Sequence, residues 1–544
     1  MTGTDGGIDA ITLEILRHAF TAVAEEMNAN LIRSAYSPNI KERRDCSSAL
    51  FDAKGQMIAQ AESIPVHLGA MPYSVAAAVR AIDSFSPGDI VVLNDPYAGG
   101  AHLPDITFVA PVFFRGRLVA FVANRAHHAD VGGKEPGSLS GDTTEIFQEG
   151  LRIPPVRLWC AGSVDRDLLE LILANVRTPS ERWGDLRAQR AACKTGIDRL
   201  TEVIERYGAG VVCEGMSAIL DYSERRMRHE IEKMPDGEAT FSDVLDDDGV
   251  CEGTIPICVA VTIAGDRITF DFTGTGEQAR GPVNAVLAVT SSATFYAVRA
   301  MSDPQIPPNA GCYRPIEIVA PVGSVVNPAP PAPVVGGNLE TSQRIVDVVL
   351  GAMQQLIPDR AIAACQGSMN NIAIGGTDPR TGEPYSLYET IAGGYGARSD
   401  RDGVDGIHSH MTNTLNTPVE ALEISYPLRI ERYELRGGTG GNGKYRGGLG
   451  IRRDILSLCP DARVSLLTER RKSKPYGLAG GDPGSSGENV LIRNDEEMVL
   501  PAKGSLTLEY GDTISIRTPG GGGYGIPAER GAEVREADRL EGRL

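Results

Sequence analysis

Apolar residues recur every three to four positions over residues 9–34, at Ile11, Leu13, Ile15, Leu16, Phe20, Val23, Met27 and Leu31. That spacing predicts one long amphipathic helix. The period then shortens, and CSSALFD and QMIAQ, on either side of an Ala-Lys-Gly turn, predict a hairpin. The segment SIPVHLGAMPYSV is expected to bend at Pro65 and Pro72 and to present His67, ahead of an alanine-rich helix over 74–82. Two runs rich in Val, Ile and Phe, 105–114 and 117–126, are split by Arg-Gly and read as neighbouring antiparallel strands. Residues 165–234 turn helical, with a separate helix expected over 214–233. Past residue 240, TIPICVAVTI and RITFDFTGTG have the signature of a hairpin, and helices are predicted over 290–299 and 343–356. The proline-rich stretch from residue 303 to about 335 reads as ordered loop. From Pro427 onward short strands alternate with glycine clusters, and the last 14 residues, rich in charge, are expected to fray.

The pattern therefore predicts an α+β chain in which helices alternate with antiparallel or mixed sheets. It suggests an N-terminal α+β region over 1–205, a middle α+β region over 206–425, a β-rich region over 426–530 and a flexible tail over 531–544. A chain of 544 residues has room for several such cores. A net charge of −18 without a basic cluster excludes nucleic acid and anionic membrane as partners. No apolar run is long enough for a spanning helix, and no secretory signal is visible. Nine scattered cysteines without a CxxC fit reduced thiols, and with the missing signal they point to the cytoplasm. Glycine is abundant, at 63 residues, in clusters such as GGTGGNGKYRGGLG and TPGGGGYG. These lack the terminal Lys-Ser/Thr of a phosphate loop and read as tight turns among strands.

Candidate chemistry concentrates between residues 91 and 133, VVLNDPYAGGAHLPDITFVAPVFFRGRLVAFVANRAHHADVGG. His102 and Asp105 stand where the chain enters the first predicted strand, and His127, His128 and Asp130 where it leaves the second. A hairpin brings those ends together. Imidazole nitrogens and carboxylate oxygens so placed suit a divalent ion such as zinc or manganese, although hydrogen-bonded turn residues would look the same. If the strand continues, His127 and His128 face opposite sides, so one is a ligand and the other, with Asp130 and Asp95, a base or supporting group. His102, Asp105 and His127 are the expected metal ligands; His128, Asp130 and Asp95 are the expected catalytic groups. His408-Ser-His410 is a second polar focus, whose histidines would share one face of a strand. No G-x-S-x-G elbow is present for a serine hydrolase.

The strings SPNIKERRDCSSALFD, IPVHLGAMP, NDPYAGGAHLPD, ANRAHHADVGG, DFTGTG, HMTNTLNTPVEALE and PGGGGYG resemble the hydantoinase B/5-oxoprolinase family over residues 9–526. The resemblance implies the multidomain architecture of that family and a division of labour. An A-type partner would bind ATP, which this chain would not, and phosphorylate an amide or ketone oxygen; the B-type component would process the product. The family's metal ligands map onto His102, Asp105 and His127. Arg43, Asp45 and His67 become candidates for touching substrate, and the neighbouring Arg44 and Cys46 depart from the apolar or aromatic residues of relatives.

The implied reaction is ATP-dependent opening of a hydantoin, 5-oxoproline or lactam ring, with a water whose pKa the ion lowers and which His128 or Asp130 deprotonates. Carboxylation of a ketone, of the acetone or acetophenone type, is the alternative. A scaffold that only stabilises the A-type partner is a third reading, disfavoured by the cost of burying so many unused charges. A homodimer within a hetero-oligomer of A-type and B-type chains is expected. The sequence does not choose the cyclic amide or the metal.

Overall fold

The computed structural model describes residues 8–61 and 63–543 and is built on four sheets. The first has seven strands, in the order Met57–Gln60, Cys46–Asp52, Arg117–His127, Asp105–Phe114, Ile90–Leu93, Val156–Cys160 and Ser163–Val164. Every pairing in it is antiparallel. Its two central strands are the expected hairpin, with the second one residue longer than the pattern suggested. The register pairs Asp105 with His127, so the first residue of one strand lies opposite the last of the other.

Both faces of this sheet are covered, which explains why its central strands are buried almost throughout rather than alternating. Helices Ala10–Ser34 and Pro179–Tyr207 cover one face. Asp9 caps the first of them, its carboxylate accepting from the N–H groups of Ile11 and Thr12. Helix Pro65–Ala81 covers the other face and carries His67. Here the expectation of a bent segment followed by a helix over 74–82 is corrected, because one helix runs through both prolines. Pro65 sits at the first turn, where a missing N–H costs nothing. Pro72 lies inside it, and neighbouring helix Leu287–Ala300 anchors the turn before it: Gly69 N–H donates to Ser292 Oγ at 3.0 Å. A Cβ on Gly69 would come within 2.5 Å of the Ser292 Cα, so only glycine permits that approach.

Residues 165–234 form three helices, Arg166–Ala174, Pro179–Tyr207 and Ala209–Glu232. The second sheet orders Ile316–Val319, Arg267–Asp271, Ile255–Ala264 and Gly237–Leu245, with its outermost pair parallel, so the sheets are antiparallel and mixed as predicted. The third sheet joins Pro384–Glu389 and Asn371–Thr377 to Ala462–Leu467 and Lys503–Leu508, so chain from both sides of residue 425 shares one layer. A five-stranded sheet of Leu428–Arg436, Gly450–Ser457, Thr513–Arg517, Glu488–Arg493 and Glu496–Leu500 completes the fold. Residues 532–540, expected to fray, form a helix tied back by the Arg530–Asp538 ion pair at 2.7 Å.

The glycine clusters do more than turn. A Cβ on Gly447 would lie 1.9 Å from the Gly521 carbonyl oxygen, and one on Gly521 would lie 2.2 Å from that of Tyr395. Neither residue is in the left-handed region, so space rather than conformation requires glycine there. Among the described residues no helix is long and apolar enough to cross a membrane.

Candidate metal centre

Strand alternation sorts the candidate residues onto two faces. Thr107 and Arg125 point toward helix Pro65–Ala81, where Arg125 donates to Thr107 Oγ1 and to Ser74 Oγ. Asp105 and His127 have the same parity and face the same way, toward His67. Asn124 and His128 point to the opposite face, where both bond Gln189 on helix Pro179–Tyr207. His102 comes in from the loop before the first strand.

The result is a buried group in which His102, Asp105 and His127 each offer a ligand atom within 4.8 Å of the others. His102 Nε2 lies 3.3 Å from one Asp105 oxygen and His67 Nε2 3.4 Å from the other, without hydrogen-bond geometry. Neither ring nitrogen of His102 and neither carboxylate oxygen of Asp105 has a hydrogen-bond partner, although all four are buried. Buried polar atoms normally find partners, and leaving four orphaned together is costly. A divalent ion satisfies this donor set of two imidazoles and one carboxylate, so the residues fit the metal that the sequence suggests.

The protonation states agree. Burial pushes the Asp105 carboxyl up, but the imidazoles of His102 and His67 outweigh it and hold the group well below the usual carboxylate range. Burial, reinforced by His102, drives the His127 imidazole well below its ordinary value, which keeps it neutral. An anionic carboxylate and a neutral imidazole are the ligating forms.

A surrounding layer fixes these groups. The Tyr388 ring stacks on His127 at 4.4 Å. Asn39 Nδ2 donates to the His127 carbonyl at 2.6 Å and lies 3.1 Å from its Nδ1. Arg43, wholly buried, donates to Asn39 Oδ1, to the Tyr388 carbonyl and to Thr390 Oγ1, and its guanidinium lies over the Tyr388 ring. Ser47 Oγ meets His67 Nδ1 at 3.0 Å.

Beside the trio, on the Asp105–His127 side, is a cavity of about 20 Å³, lined also by Asp45, His67, Asn338, Tyr388, Thr412 and Thr414. That is room for about one water. Burial pushes the Asp45 carboxyl up, against the pull of Arg43. Larger surface grooves lie elsewhere and none of the trio lines them.

The structure thus brings His102, Asp105, His127, His67 and Asp45 together, and sets Arg43 behind the cavity as a brace. It does not bring His128, Asp130 or Asp95 there. His128 bonds Gln189 Oε1 at 3.0 Å and lines a separate apolar pocket with Ile106, Val131 and Arg182. Both Asp130 oxygens are committed, to the N–H groups of Gly132, Gly137 and Arg177 and to the Arg177 guanidinium. Asp95 caps the short turn Pro96–Ala98 and pairs with Arg152 at 2.7 Å. His408 and His410 lie on no strand. His410 has a left-handed backbone and its ring meets Asp347 at 3.4 Å, between Tyr296 and Tyr395. Sequence reasoning missed Asn39, Tyr388, Asn338 and the threonines. Asn39, Thr412 and Thr414 stand inside SPNIKERRD and HMTNTLNTP, strings that carried the resemblance, but no titratable group marked them.

Residues 9–527 match the family Hydantoinase B/oxoprolinase. The chain belongs to that family. It is 44% identical to an uncharacterized protein of Methanocaldococcus jannaschii, over 96% of this chain and 92% of the relative. It is 35% identical to the B-type subunit of a putative D-/L-hydantoinase from a Pseudomonas species, over 98% of this chain and 93% of the relative. A 5-oxoprolinase of Dictyostelium discoideum is 38% identical over 95% of this chain, which spans only 40% of that longer protein. The crystal structure of the ATP-dependent caprolactamase of Pseudomonas jessenii superposes with a TM-score of 0.92 at 32% identity, over 99% of this chain and 94% of the other. A nucleotide-free acetone carboxylase structure reaches the same TM-score at 19% identity, over 98% of this chain and 78% of that one, which shows a shared fold.

Proposed function

We propose that this hydantoinase B-family chain is the hydrolytic component of an ATP-dependent cyclic amidohydrolase, opening a hydantoin, 5-oxoproline or lactam ring. Zinc or manganese would be held by His102, Asp105 and His127. ATP would be used by an A-type partner that phosphorylates the carbonyl oxygen. The observation that carries this reading is the orphaned, buried His102–Asp105 pair with His127 in ligand distance. The likeness to a caprolactamase over nearly the whole chain supports the substrate class.

When bound, the ion would lower the pKa of water toward neutrality and polarise the substrate oxygen. The remaining work belongs to the chain. Asp105 stays ionised between two imidazoles, and Tyr388 and Asn39 keep His127 in one orientation. Because His128, Asp130 and Asp95 do not line the cavity, the base is Asp45, which does line it and whose burial raises its proton affinity. Asp45 takes the proton of the attacking water and returns it to the ring nitrogen as the C–N bond breaks. Breaking that bond leaves the carboxyl as an acyl phosphate, which a second water cleaves to carboxylate and phosphate; in sum two waters are consumed, one ring is opened and one ATP becomes ADP and phosphate.

Elemental analysis of the purified chain is expected to find one divalent transition ion, and none in His102→Ala, with far-ultraviolet circular dichroism unchanged. ATP-dependent ring opening should need both the chain and its partner, and His102→Ala should abolish it. A wild-type complex that is fully active without metal overturns the site; substantial ATP hydrolysis by this chain alone overturns the division of labour.

A further inference from the structure

Residues 337–341, Gly-Asn-Leu-Glu-Thr, form a single π-helical turn at the start of helix Ser342–Leu356. Such turns interrupt the regular ladder and cluster at functional positions. The backbone of this one is firmly held. A Cβ on Gly337 would lie 1.7 Å from the Asn284 carbonyl oxygen, Thr341 Oγ1 donates to the Val283 carbonyl, and Ser342 Oγ donates to that of Asn338. The Asn338 side chain is the exception. It is 3% exposed, it lines the cavity beside Asp105 and His127, and its Oδ1 is buried without a hydrogen-bond partner. An amide oxygen so buried is expected to be paired, and the cavity that Asn338 lines holds about one water.

We propose that Asn338 is the positioning residue for the attacking water: its Oδ1 accepts a hydrogen bond from the water in this cavity. This rests on the cyclic-amide reading above. With one hydrogen so held, the water keeps its lone pair for the activated carbon. The new bond is water oxygen to carbonyl carbon, the water proton ends on the ring nitrogen as the C–N bond breaks, and Asn338 itself gains and loses nothing. Because Asn338 orients the nucleophile and does not hold the ion, its loss separates phosphorylation of the substrate from ring opening.

The test uses the assembled complex with a lactam that the wild type opens, and counts ATP cleaved per ring opened. Asn338→Leu keeps the volume and removes the acceptor; Asn338→Asp keeps an acceptor oxygen. The Leu variant is expected to retain its metal and its KM for lactam. Misorientation of the water should slow its ring opening by about 10²-fold, with ATP cleaved per ring rising to about ten or more, because the phosphorylated amide decays by attack at phosphorus. The Asp variant should return the ratio toward the wild-type value. Asn338→Ala, measured alongside, serves where Leu disrupts folding, and metal content reports an intact site. A Leu or Ala variant that keeps the wild-type ratio, or loses its metal, overturns the role of Asn338 alone. A wild-type complex that opens no cyclic amide overturns the proposed function, and this inference with it.

Discussion

Asp105 shows how a single residue can be held in a state that water would not favour. Its burial alone would neutralise it, and the two imidazoles reverse that outcome. Glu340 is the opposite case. Burial, with the neighbouring Glu469, pushes its carboxyl up to about 8, and only one of its oxygens is used, by Met369 N–H and Asn371 Nδ2. A carboxyl that holds its proton in the folded state and releases it at about 4.5 when unfolded favours the fold at low pH. Stability is lost as pH rises through that window. Glu340→Gln, which mimics the protonated form, should flatten the pH dependence of urea unfolding between about 5 and 8. Equal slopes in the two proteins would show that Glu340 is ionised in the fold.

At the scale of elements, the hairpin was legible because its strands are long, β-branched and cleanly punctuated, and with it came the clustering of His102, Asp105 and His127. Alternation also separated His127 from His128. Which of the two faces held the site was not legible, since that depends on His67 reaching over from a helix the prolines had disguised. Nor was it legible which carboxylate lines the cavity: Asp130 and Asp95 are near in sequence, whereas Asp45 reaches it through strand pairing of Cys46–Asp52 with Arg117–His127. Asn338 and Tyr388 lie hundreds of residues away and carry no titratable signal. The glycine clusters looked like turns because composition does not reveal that two backbones touch. That contact gives a sharp expectation: Gly521→Ala, pressed against the Tyr395 carbonyl, should cost about 3 kcal/mol or more in urea unfolding, the upper end for overpacking. A cost under about 1 kcal/mol would mean that the layer yields easily.

Across the whole molecule, the site is assembled from distant parts of the chain. His102, Asp105 and His127 lie within 26 positions of one another on one hairpin, whereas its walls come from Asn338, Met369, Tyr388 and the segment Met411–Thr414. The N-terminal layer and the wall are stitched by Arg43, whose guanidinium spans from Asn39 to Tyr388 and Thr390. In the finished fold His102 and Asp105 are fully buried and His127 is 3% exposed. An ion can reach them afterwards only when the wall opens locally. Order of events therefore matters: a ribosome has released all three candidate ligands long before it has made the residues that close over them. Chain refolded in the presence of zinc should acquire its ion at the rate of folding, while chain folded first under chelation should take up the same zinc more slowly, in a time set by wall opening. Equal uptake rates, followed by elemental analysis after rapid desalting, would show that the wall is no barrier. The same closure that delays loading should also retain the ion, so a protein loaded during synthesis would keep its metal through purification steps that strip exposed sites.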